Sequence, residues 1–295
     1  MSELTNAPII TEGDNLSLQG YTLGIADDAS AWLSTELANG TFKVPEGYDI
    51  KGECSSAALK LMNTKTTKGE PILSVCSRES VLMFFKDMVA QNLSFVNNQC
   101  YAIPYGDVLS CTPSYFGERS IFAENFPGLM MTANVIYEGD TYDYCTDAKH
   151  GFNFIENHKS SLQNRNKPIV AAYCTVVEVE TDKVVNGCVM TWDEIQVSWS
   201  QSRNKGTQEK FPVDMAKRTV FKKMCKDYNN TGKGNFTEMQ VQAYRRNEEA
   251  EYTSVTATAE TSSKEARNLK GAAKFDKVMA EKANAETVET QEIPF

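Results

Sequence analysis

IVAAYCTVVEV, residues 169–179, is the stretch on which the fold turns. Its length and its run of β-branched residues predict a central strand. Thr181-Asp182-Lys183 then supplies a turn into Val184–Met190, which completes an antiparallel pair. Upstream, Leu129–Tyr137 alternates as a strand does, and Glu138-Gly139-Asp140 turns it toward a further strand at Thr141–Cys145. Gln99–Tyr105 and Val108–Cys111, parted by Gly106-Asp107, read as a β-hairpin. Helices are predicted around these strands. Asp28–Leu37 follows cap signals at Asp27 and Asp28 and stops at Asn39-Gly40, and Ser55–Thr64 carries an apolar stripe of Ala58, Leu61 and Met62. Ser77 caps a helix whose Val81, Phe84, Phe85, Met88 and Val89 recur at i, i+3, i+4, i+7 and i+8. SYFGERSIFAENF after Pro113 and Trp192–Trp199 complete the set. The pattern is α+β: a small antiparallel sheet and hairpins packed by helices.

The next stretch outward is FPVDMAKRTVFKKMCK, Phe211–Lys226. At about 100° per residue, Val213, Ala216, Val220 and Met224 share one side of a helix. Arg218, Lys222 and Lys226 recur on the opposite side over on the order of 12 Å, with Lys223 at the flank and Lys217 nearest the apolar stripe. A basic helix face is by itself ordinary solvated surface. The lead-in WSQSRNKGTQEK, Trp199–Lys210, adds Arg203, Lys205 and Lys210. Between residues 203 and 233 nine basic residues face three acidic ones in a protein of net charge −9, and such segregation points to a polyanionic partner. Tyr115, Phe116 and Arg119 are expected close to the 99–111 hairpin, where aromatic rings beside a cation could stack on bases. A core role is the commoner fate of such rings.

With 295 residues and 41% apolar content, the chain can bury a substantial core. Residues 1–24 are polar and aperiodic, a mobile arm by expectation; 25–246 form the ordered domain. Residues 247–295 turn to Ala, Glu, Thr and Ser, an acidic tail expected to be disordered, with a transient helix at Lys264–Ala283 and a terminal EIPF. Eight cysteines without a CxxC pair read as buried thiols of a reducing compartment, and no leader or 18-residue apolar run is seen, so the expectation is a soluble cytoplasmic protein without a membrane partner. Asp140, Asp143, Asp147, His150, Glu156 and His158 fall within 19 positions and would be the ligands of a metal-dependent nuclease. Without DxD, HxH or ExK spacing, solvated strand charges and surface histidines are the better reading, and no metal or catalytic residue is assigned. No GxxxxGK[ST] loop stands in the sequence, and no cofactor is expected.

Five stretches stand in register: VCSRESVLMFFKDMVAQNLSFVNNQCYAIPYG (75–106), SYFGERSIFAEN (114–125), ANVIYEGDTYDY (133–144), and WSQSRNKGTQEK with FPVDMAKRTVFKKMCKDY (199–228). Together they resemble the RecT family of phage single-strand annealing proteins, within the RecT/Red-beta superfamily. The likeness covers roughly residues 25–228. It implies a compact annealing domain that binds single-stranded DNA without ATP, assembles into rings or helical filaments, pairs complementary strands into duplex, and works with a phage exonuclease in the bacterial host cytoplasm. No chemical step is implied. Under this resemblance Lys217, Arg218, Lys222, Lys223 and Lys226 hold the strand, Arg203, Lys205 and Lys210 close over it, and Tyr115 and Arg119 lie beside it. Relatives often carry lysines before the QCY strand, where this chain has Asn97-Asn98. The terminal Ile293, Pro294 and Phe295 resemble the acidic tip of bacterial single-strand-binding proteins, which implies contact with that protein or its partners. The rival readings are a passive coat for single strands and a metal-dependent nuclease.

Overall fold

A computed structural model of the protein describes residues 15–200, 206–231 and 234–250. The helices are α1 (Asn15–Ala38), α2 (Ile50–Met62), α3 (Ile72–Val75), α4 (Arg78–Ala90), α5 (Tyr115–Asn125), α6 (Trp192–Ser200), α7 (Gly206–Lys210) and α8 (Pro212–Thr231), followed by a helical stretch at 238–250. The strands are β1 (Cys100–Tyr105), β2 (Val108–Pro113), β3 (Leu129–Tyr137), β4 (Thr141–Asp147), β5 (Phe152–Lys159), β6 (Ile169–Glu178) and β7 (Lys183–Thr191). The protein is α+β, with three small antiparallel sheets.

Strand β6 lies between β3 and β7, in the order β3-β6-β7, as its β-branched composition predicts. Alternation divides its side chains between two cores. Ala172, Cys174 and Val176 join Met131 and Val135 of β3 and the buried face of α8, whereas Ala171 and Tyr173 meet Ile136 and Ile155 on the other side. The β4–β5 ribbon thus covers one face of the sheet and α8 the other. Gly187 of β7 is required where the ribbon crosses, because a Cβ there would lie 2.8 Å from the Asn153 carbonyl oxygen and 2.9 Å from Phe154 Cβ. At both edges an asparagine bonds the next backbone N–H: Asn134 Oδ1 accepts from Val135 N at 2.9 Å, and Asn186 Oδ1 from Gly187 N at 2.8 Å. Occupied N–H groups make an edge a poorer template for another strand.

A separate helical core is formed by α1, α2, α4 and the β1–β2 hairpin, centred on Leu33, Leu61, Phe84, Phe85 and Met88. The turn of the hairpin falls at Gly106, with φ +67°. Ser77 caps α4 through Ser80 N, and Ser114 caps α5 through Gly117 N. Helix α5 joins this helical core to the one between the sheet and α8, placing Ile121 in the former and Phe122 in the latter. Its first turn is pressed so closely on the loop before β1 that a Cβ on Gly117 would stand 1.9 Å from the Gln99 carbonyl oxygen.

Several expectations are corrected. Strand β4 pairs with β5, not with β3, and β5 itself was not foreseen. Helix α1 begins at Asn15, so the second half of the predicted arm is helical, with Thr22 fully buried; residues 1–14 lie outside the described residues, as do 251–295. His158 is not a surface residue. Its side chain is 8% exposed and that of Asp140 is 0% exposed, with Nε2 3.1 Å from Asp140 Oδ2 and Nδ1 3.0 Å from the Tyr173 hydroxyl. Tyr137 N donates to Asp140 Oδ2 and Asn164 Nδ2 to Oδ1, each at 2.8 Å. This node ties the β3–β4 turn to β5 and β6. Burial pushes the Asp140 carboxyl up, but the bonds from Tyr137 N–H, Asn164, Ser160 and His158 outweigh it and hold the group at about 2.

An unfolded aspartate ionises near 3.9, so the depressed native value contributes stability that is present above about pH 4 and lost as pH falls toward 2. Asp140→Ala, which leaves buried donors unmatched, is expected to cost about 2 kcal/mol in urea melts at pH 7. Asp140→Asn should flatten the dependence of the urea midpoint on pH below about 4. Gly117→Ala is expected to lower stability by about 1–3 kcal/mol through overpacking.

Candidate nucleic-acid interface

Helix α8 starts at Pro212, a residue suited to a first helical turn because it brings a fixed φ and no N–H. Ala216, Val220, Phe221, Met224 and Cys225 are buried against the sheet. At 100° per residue the centre of that stripe lies opposite the row Arg218, Lys222, Lys226. Lys223 and Lys226 are exposed, while Arg218, Lys222 and Lys217 are half-buried. Lys217 falls on the stripe's own side and belongs to the row only by sequence. Lys210 is exposed at the end of α7, its Nζ 5.4 Å from the Phe211 ring centroid. Arg203 and Lys205 lie outside the described residues, as do Ile293, Pro294 and Phe295.

The cations occupy two flanks of the helix. Arg218 leans toward the β1–β2 hairpin, its guanidinium carbon 5.7 Å from the centroid of the Tyr101 ring, which is 42% exposed. Lys223 turns to the far side, toward β7. With Lys226, Asp227 and Asn230 it lines a cleft of about 530 Å³ closed by Asn186 of β7 and Asn153 of β5. There Asn186 Nδ2 donates to Asp227 Oδ2 at 3.4 Å.

Tyr115 and Phe116 have different fates. Tyr115 is half-buried, its ring edge-on to Phe221 of α8 at 5.0 Å. Burial raises its phenol and the nearby Arg119 partly offsets this, the Arg119 guanidinium carbon being 5.8 Å from the ring centroid. Phe116 points outward and is 62% exposed, so the core role expected for both rings holds for Tyr115 alone. Tyr101 is an exposed ring that sequence reasoning missed, and Phe116, weighed there for stacking, is the exposed member of its pair. Their signals were the alternation after buried Cys100 and the Ser114 cap, which directs Gly117 and Ile121 inward and Phe116 out.

The Asn97-Asn98 position is reached from α2. Lys60 Nζ donates to Asn98 Oδ1 at 2.9 Å and stands 4.2 Å from the Phe95 ring centroid. The carboxylate cluster is dispersed: Asp143 accepts from Asn157 Nδ2 at 2.7 Å, and Asp147 accepts from the backbone of Lys149 and His150. Among the described residues, no three His, Cys, Asp or Glu side chains gather as metal ligands. Burial pushes the Cys54 thiol up to about 12 and Cys76 to about 11, leaving both protonated at neutral pH.

Tyr115→Ala is expected to cost about 3 kcal/mol of stability, and Phe116→Ala less than about 0.5 kcal/mol, in denaturant melts. A search of curated proteins finds no match to the chain. The model of the RecT family matches residues 54–268, a span that takes in α4, the β1–β2 hairpin, α5, the sheet and the whole of α8. With more than half its length matched, and with the basic helix inside the matched span, the chain belongs to the RecT family.

Proposed function

We propose that residues 25–246 act as an ATP-independent annealing domain that binds single-stranded DNA and pairs it with a complementary strand in phage-type recombination. The observation that carries this reading is the cation row of α8, held outward by the burial of the opposite stripe. Arg218, Lys222 and Lys226 contact successive phosphates, Lys223 and Lys210 extend the path, and Arg203 and Lys205 bind the same strand. Lys217 contributes least. The exposed rings of Tyr101 and Phe116, with half-buried Tyr115 and the exposed Arg119 beside it, offer stacking surface next to the backbone track. A strand gripped by its phosphates keeps its base edges available for Watson–Crick testing, so binding tolerates any sequence and no bond in the DNA needs to be made or broken.

Annealing joins two DNA strands, so the domain acts as a homo-oligomer, a ring or a filament, on ends opened by a phage exonuclease in the host cytoplasm. The acidic tail ending in Ile293, Pro294 and Phe295 recruits the host single-strand-binding protein or its partners. Deleting those three residues is expected to weaken that pull-down and leave annealing unchanged.

Replacing Arg218, Lys222 and Lys226 together by Gln is expected to weaken binding to an oligonucleotide. It should also reduce the slope of log K against log salt by about 2, at about 0.7 per phosphate contact on a single strand. An unchanged slope with a native circular-dichroism spectrum would show that the strand runs elsewhere.

A further inference from the structure

A second cleft, of about 440 Å³, opens beside the basic segment, and the cation row does not use it. Its walls come from three helices: Trp192, Gln196 and Trp199 of α6, Gln208 and Glu209 of α7, and Pro212 at the start of α8. The two indoles meet edge to face, with centroids 5.3 Å apart and planes at 82°. Trp199 Nε1 donates to Thr219 Oγ1 at 2.8 Å, and Thr219 Oγ1 in turn donates to the Met215 carbonyl at 2.9 Å, which fixes the indole on α8 less than one turn before Lys222. Gln208 is buried, whereas Gln196 and Glu209 stand exposed at the rim.

We infer that this cleft receives one unstacked nucleobase of the bound single strand. Its size lies within the ~300–1,000 Å³ of small-molecule sites. The indoles provide aromatic surface for a base, and every base has such a face to offer. The carboxamides of Gln196 and Gln208 present both donors and acceptors, so they can serve the edge of any base without selecting one. Glu209 at the rim disfavours a phosphate, which leaves the backbone to the adjoining Lys210 and to the cation row of α8. This inference rests on the proposed single-strand binding and adds to it: the cations hold the chain, and the cleft takes a base out of the stack and so fixes where the strand sits along α8.

Tryptophan emission reports the cleft directly. The chain has three tryptophans, and the third, Trp32 of α1, lies under Lys86 Nζ at 3.8 Å from the ring centroid. In the full-length Trp32→Phe protein, emission therefore arises from Trp192 and Trp199 alone. Titration with an oligothymidylate is expected to quench it, and an abasic oligonucleotide of equal length and charge is expected to bind with little quenching. Trp192→Ala should weaken oligothymidylate binding roughly tenfold and leave abasic binding unchanged. Gln196→Trp, which fills the cleft from its exposed rim without removing a core contact, should produce the same selective loss. Equal quenching by both DNAs, or equal losses of affinity for both, overturns the base pocket while the cationic path stands. Failure of the unsubstituted protein to bind either DNA overturns the pocket and the annealing reading together.

Discussion

Burial of one stripe of α8 against β3 and β6 determines where the protein's positive charge can stand. Val220, Phe221 and Met224 are all but fully buried, and each such side chain contributes about 1.5–3 kcal/mol relative to exposure. Turning the helix by a single residue would bring Lys222 toward the sheet in place of an apolar side chain. An uncompensated buried ammonium costs several kcal/mol, so the two terms act in the same direction and lock the rotation. The sheet has to be covered on its other face for this arrangement to hold, and the β4–β5 ribbon provides that cover. Gly187 lets the ribbon approach, and the Asp140 node fastens its base to β6. The outward row of cations therefore follows from apolar packing.

This arrangement reconciles an acidic protein with a polyanionic partner. The net charge is −9, yet at physiological ionic strength a charge is screened over about 8 Å, so the local field of α8 and not the total charge decides what a phosphate on that helix meets. Arg218 and Lys223 lie on different flanks of the helix, one facing the Tyr101 ring and the other the β7 side. The basic surface is thus broader than a single line, and exposed aromatic rings border it.

The helical faces were legible because their signal is local. In α4 the 3.6-residue period and the Ser77 cap decide rotation and start, in α8 the period decides rotation, and β6 announced itself by its β-branched run. What escaped was set by partners distant in sequence. Glu138-Gly139-Asp140 looks like a hairpin turn between β3 and β4, but β3 carries Met131 and Val135 into the core and pairs with β6, while TYDYCTD of β4 has too little apolar character to take that central place. FNFIENHK was hidden as a strand by its polar residues, two of which, Glu156 and His158, were weighed as metal ligands. His158 instead closes a hydrogen-bond node through Tyr173 and Asp140, 15 and 18 positions away. Gly20 and Gly24 masked the first half of α1. Among the site residues, the α8 row could be read from spacing alone. The different fates of Tyr115 and Phe116 depended on the contact with Phe221, more than a hundred positions further along the chain.

The most direct test of the account is the rate at which two complementary labelled oligonucleotides pair, with and without the protein, in the absence of ATP and across a salt series. The account predicts faster pairing without shortening of either strand, with an acceleration that declines as salt rises. Retained binding with slower pairing would contradict it and identify a passive coat. Magnesium-dependent shortening of the labelled strands would contradict it and identify a nuclease.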